Sequence, residues 1–216
     1  QLERAVPDLQ KIGALPGRKV LIKGNHDYWW DTVTKMTKAT NGAFEFLHNN
    51  MIRLGPLALV GTRSWIPETS RNFTENDAVI LRREEGRLER GLEMAARSDA
   101  ERIVCILHYP PYDDRRCPMH ILSIMKKYGV HDCVFGHIHG ERNFHNIPTE
   151  LENIRLHLTS ADYLNFQPYF ICEVSDGTQT GRRPPSLRLH LRRFPYRRIC
   201  VFSRKRTGCG IPRRRL

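Results

Sequence analysis

The chain has no acidic residue beyond Asp176. Residues 177–216 carry 13 Arg or Lys and no Asp or Glu, whereas residues 1–176 hold 22 basic against 23 acidic side chains. The formal charge of +12 is therefore a property of the tail, and it gives no ground for reading the body as a nucleic-acid binder. No two of the six cysteines form a C-x-x-C pair, which excludes zinc-finger spacing. They read as free thiols of a reducing compartment; Cys105 and Cys133 stand inside apolar runs, where reduced Cys behaves as a small hydrophobe. No apolar run approaches the ~20 residues needed to span a bilayer, and no apolar signal region opens the chain. These absences give the expectation of a soluble, cytoplasmic protein with no membrane partner. A length of 216 residues suffices for one domain with a core.

What the chain does contain is one layout three times over. Val20-Leu21-Ile22 runs into Lys23-Gly24-Asn25-His26-Asp27 and then Tyr28-Trp29-Trp30. Ile103-Val104-Cys105-Ile106-Leu107 runs into His108-Tyr109-Pro110-Pro111. Cys133-Val134-Phe135 runs into Gly136-His137-Ile138-His139-Gly140. Each is an apolar strand ending in a tight turn that delivers Asn or His to its C-terminal end. In open α/β sheets that edge is where ligands bind. Neutral imidazole is a common metal ligand and an amide oxygen can serve a hard cation, so Asn25, His108, His137 and His139 form a candidate metal set. His26, with Asp27 beside it to orient the ring and hold it protonated, is a candidate acid for a leaving group. The bland reading of any one of these histidines is a hydrogen-bonded surface residue; the repetition of the context argues against it. His48, His120, His131, His145, His157 and His190 lack that context, and His157 reads as structural.

Gly24-Asn25-His26-Asp27, His108 and Gly136-His137-Ile138-His139-Gly140 resemble three blocks of the calcineurin-like metallophosphoesterases, and the run through Tyr28-Trp29-Trp30 is similar to a bacterial GNHDYWW-type subgroup. Gly61-Thr62-Arg63-Ser64-Trp65 and Ala161-Asp162-Tyr163-Leu164 share in that likeness, which covers roughly residues 2–174. The resemblance implies a layered α/β/β/α sandwich and a hydrolase that cleaves phosphoesters at a dinuclear centre of divalent Mn, Fe, Zn or Ni. It further implies that Asn25, His108 and His137 serve one metal and His139 the other. His26 would be the leaving-group acid or phosphate contact. A small phosphoester or a nucleotide would be the substrate. Two blocks of the family are missing, however: the chain contains no D-x-H triplet and no Gly-Asp pair. It therefore reads as an N-terminally truncated member that lacks its first strands and the bridging Asp, binds one metal well, and turns over weakly or not at all.

Hydrophobic periodicity places a helix over residues 2–15, bent or begun at Pro7, and others over 31–39, 77–97 and 119–128. Strands fall near 18–24, 44–47, 51–54, 57–61, 103–107, 133–135, 154–159 and 169–174, with the pairs between helices resembling hairpins. The Arg82-Arg83-Glu84-Glu85 run reads as a solvated helix face. The domain is expected to occupy residues 1–175. The Arg- and Pro-rich tail, 176–216, shows no period and reads as disordered or as non-native sequence from a shifted reading frame. The competing function is a non-catalytic module that binds nucleic acid or another polyanion through that tail.

Overall fold

The computed structural model describes residues 1–175 and 196–201. In chain order the described elements begin with α1 (Leu2–Gly13), β1 (Val20–Ile22), α2 (Val33–Ala39), β2 (Glu45–Leu47), β3 (Met51–Leu54), β4 (Leu57–Thr62) and α3 (Glu75–Ala96). They continue with β5 (Arg102–Leu107), α4 (His120–Lys127), β6 (Asp132–Phe135), β7 (Glu150–Leu151), β8 (Ile154–Leu158), β9 (Tyr169–Ser175) and β10 (Tyr196–Val201).

Period-two alternation sorts the strand residues into layers. In β4, Ala58 and Val60 face one core while Leu57 and Leu59 face another; β5 divides Ile103, Cys105 and Leu107 from Val104 and Ile106, and β6 divides Cys133 and Phe135 from Val134. Because both faces are buried, these strands read as continuous apolar runs, and they pair in parallel at the centre of a six-stranded sheet ordered β3-β4-β5-β6-β8-β7. The first face is covered by α3 and α4 through Leu81, Leu88, Leu92, Ile121, Leu122 and Met125. The second packs on Val20, Ile22 and Leu47 of the parallel pair β1-β2 and on Cys172 and Val174 of β9. Leu21 and Phe46 point to the far side of that pair, where Leu9 of α1, Met36 of α2, Trp29 and Trp30 cover them. The order helix, sheet, sheet, helix is the layered α/β sandwich expected from the sequence. No helix among the described residues is long and apolar enough to cross a membrane.

Several local expectations are corrected. Residues 44–47 and 51–54 do not form a hairpin around Asn49-Asn50: β2 joins β1, while β3 turns at Gly55 (φ 58°) to pair antiparallel with β4. The polar turn instead carries the chain from one layer to the next. Helix α2 starts two residues later than its pattern suggests, capped by Thr32, whose side chain accepts from Lys35 N. Helix α3 begins earlier than its apolar stripe suggests, at a capping box in which Thr74 and Asp77 bond each other's backbone N–H. Helix α1 begins at Leu2 and continues through Pro7, which has no N–H to give to the helix. Glu84 does not belong to a solvated face, being only 2% exposed. In the tail, β10 pairs antiparallel with β9 where the sequence shows no period; the rest of the tail, with the polyanion reading placed on it, lies outside the described residues.

Helix α3 approaches β4 so closely at Gly91 that an added Cβ would stand 2.6 Å from Val60 Cγ1 and 2.8 Å from Asn50 O. Gly91→Ala is therefore expected to cost about 1–3 kcal/mol, seen as a lower urea midpoint at unchanged m. An unaltered midpoint would mean that the helix does not sit this close.

A second polar feature marks the opposite end of the sheet. Asp132, 1% exposed, accepts from Arg102, Arg155 and His157 Nε2 (2.8 Å). Burial pushes its carboxyl up, but the three donors together outweigh that and hold it at about 2. His157 is thus the structural histidine that its place in a strand suggested.

Candidate metal centre

Three strands end at one edge and each contributes a donor. Beyond β1, the turn at Gly24 sets Asn25. Asp27 Oδ2 accepts from Gly24 N at 2.6 Å and its Oδ1 from Trp29 Nε1 at 2.9 Å, so this carboxylate ties the turn down. That corrects the expected role of Asp27 as the partner orienting His26, because successive side chains in a tight turn point in different directions. A Cβ at Gly24 would lie 3.3 Å from the His108 ring, so glycine permits the close approach of the two strand ends. Beyond β5 stands His108. Beyond β6, Gly136 N donates to His108 O (3.2 Å) and Ile138 N to Gly136 O (2.8 Å). His137 itself takes φ 68°, a left-handed conformation that costs a non-glycine residue of order 1 kcal/mol and concentrates at functional sites.

The outcome is convergence. His108 Nε2 lies 2.8 Å from Asn25 Oδ1 and 3.2 Å from His137 Nδ1. Tyr109, 6% exposed, lays its ring on His137 at a centroid distance of 4.1 Å, and its phenol is hydrogen-bonded to Asn25. Burial, reinforced by the neighbouring rings, pushes His108 down to about 3 and His137 down to about 4. Both imidazoles are therefore neutral at pH 7 and keep a lone pair for a ligand.

These three donors fit a cation. Two atoms bound to one metal at about 2.1 Å and at right angles stand about 3.0 Å apart, close to the two spacings that His108 Nε2 makes with Asn25 Oδ1 and His137 Nδ1. The set is one amide oxygen and two imidazoles; no group of three or more His, Cys, Asp and Glu among the described residues is placed to hold a metal. His139 does not join the trio. Its Nδ1 donates to Asp162 Oδ1 at 2.7 Å, the other oxygen of Asp162 accepts from Gly140 N at 2.8 Å, and the His139 side chain is 43% exposed. His26 is exposed on the turn that follows β1. In the sequence Tyr109 and Asp162 carry no signal of their own beyond their neighbours, His108 on one side and the Ala161-Asp162-Tyr163-Leu164 run on the other.

A family model described as calcineurin-like phosphoesterase matches residues 2–141, a span that contains all three strand ends. No curated protein and no solved structure matches the chain.

Proposed function

The chain belongs to the calcineurin-like phosphoesterase family, and on that premise we propose that it cleaves phosphoesters with a divalent cation held by Asn25, His108 and His137. The observation that carries this reading is the meeting of Asn25 Oδ1, His108 Nε2 and His137 Nδ1 from three strands at one sheet edge. Mixed amide and imidazole donors suit Mn, Fe, Zn or Ni. A bound divalent cation supplies charge neutralisation at the phosphoryl oxygens and acidity to an attacking water.

The protein's own groups do the rest. Tyr109 and the Gly136 turn hold the two imidazoles at fixed orientation, and burial keeps them unprotonated. His26, exposed at the same edge, donates a proton to the leaving oxygen as the P–O bond breaks. His139, oriented by Asp162, is the remaining donor for a second cation of the dinuclear centre that the family resemblance implies. The chain offers no D-x-H or Gly-Asp block to complete that second position, so it is expected to bind one metal tightly and to turn over slowly.

Purified protein, Mn²⁺ and an aryl phosphate test this. The expected result is about one Mn per chain by elemental analysis and slow hydrolysis, lowered by ~10²–10⁴ in His26→Ala with metal content retained. Hydrolysis indifferent to His26→Ala would remove the acid role, and fast hydrolysis with two metals per chain would overturn the single-cation reading.

A further inference from the structure

Beside the metal centre, at the same sheet edge, is a recess whose polar lining is Lys23, His48, Thr62, Arg63, Glu84 and Arg87. Lys23 follows β1, His48 follows β2, and Thr62-Arg63 closes β4, while Glu84 and Arg87 are one turn apart on α3. Three basic side chains thus face one carboxylate. Glu84 is occupied inside the wall: it accepts from the Thr62 hydroxyl, from Arg63 Nη2 at 3.2 Å and from Arg87 Nη1 at 2.7 Å. The Arg63 guanidinium carbon stands over Trp65, 4.2 Å from the ring centroid, and its buried Nε has no partner among the described residues. The Lys23 ammonium lines the recess and makes no hydrogen bond to any described residue. The recess has room for about one water-sized atom.

A partly buried excess of positive charge with unfilled N–H donors is costly unless an anion meets it. The recess also shares backbone with the metal centre. Lys23 is two residues before Asn25, and Arg63 O accepts from Tyr109 N at 3.0 Å. Its lining includes none of Asn25, His108 or His137, so an oxygen seated in it is not one of those at the metal centre.

Resting on the function proposed above, we propose that this recess seats one oxygen of a second phosphoryl group, so that the substrate class is a phosphoester carrying two phosphates, of the diphosphate type. Arg63 and Arg87 present planar donors suited to such an oxygen, and Lys23 contributes a point charge from the strand that also positions Asn25. Glu84 holds the two arginines apart and aimed, at the expense of one unit of positive potential.

The test is calorimetric titration of the full chain with pyrophosphate and with inorganic phosphate, in the absence of metal and with Mn²⁺, alongside a direct Mn²⁺ titration. Pyrophosphate is expected to bind the metal-free protein about tenfold more tightly than phosphate. Lys23→Met, which leaves no partner unpaired, is expected to weaken pyrophosphate about tenfold, and Glu84→Gln to tighten it by a similar factor. If Glu84→Gln fails to fold, Lys23→Met decides alone. Equal affinity for the two anions, or indifference of pyrophosphate to Lys23→Met, overturns the subsite. Intact Mn²⁺ binding beside either negative result leaves the metal-centre reading standing. Absent Mn²⁺ binding beside a positive pyrophosphate result sinks that reading and keeps the anion recess.

Discussion

Lowering the pH from 7 to 5 is expected to remove about 2–4 kcal/mol of stability from the metal-free chain. The cause is the pair His108 and His137, held at about 3 and about 4 chiefly by burial and secondarily by neighbouring rings. In the unfolded chain both titrate near 6.5. Below that value the unfolded state takes up protons that the folded state refuses, so stability falls with falling pH until the folded values are reached. At pH 5 each ring contributes at most about 2 kcal/mol, reduced here because both are only half-buried. Asp132 has the same sign but a lower window, since its carboxyl sits at about 2 and its contribution is lost only below about pH 4. Urea unfolding at the two pH values measures the effect, and His108→Ala is expected to halve it. Equal stability at pH 7 and pH 5 would mean that the two rings are not buried side by side.

His108→Ala is also expected to weaken Mn²⁺ binding by more than about 100-fold at pH 7. His108 stands between the other two donors, 2.8 Å from Asn25 Oδ1 and 3.2 Å from His137 Nδ1, so its loss leaves two ligands with a gap between them. Removing an outer-shell partner alone typically costs 10–100-fold, and a direct ligand costs more. His137→Ala is expected to match it. Asp162→Ala, by contrast, frees His139 without touching the trio, and is expected to change tight Mn²⁺ binding less than threefold. Competition with a chromogenic chelator separates these cases. Unchanged affinity in His108→Ala would place the cation elsewhere.

The candidate site was more legible in the sequence than the connections around it. Asn25, His108 and His137 could be chosen because each follows an apolar run that is too continuous for a half-exposed strand and ends in glycine or proline. Residues 44–54 have the local pattern of a hairpin because Asn49-Asn50 has the chemistry of a turn, and nothing local reveals that its flanking strands belong to different sheets. Glu84 was assigned to solvent because it lies in a charged run. Its burial depends on Thr62 and Arg63, about twenty residues away in sequence. Asp27 was expected to serve His26 because they are adjacent, yet adjacency in a tight turn separates side chains more often than it joins them.

The sequence by itself determined the layered α/β class, since two-face burial of β4, β5 and β6 is written in their unbroken apolar runs, and it determined which side chains sit at the strand ends. Only the tertiary structure decided that Asn25, His108 and His137 share one point while His139 turns to Asp162, and that Lys23, Arg63 and Arg87 crowd one recess. Periodicity records which face of an element is buried. Distances between elements come from packing, where a glycine such as Gly24 or a left-handed residue such as His137 moves a donor by ångströms without altering any pattern along the chain.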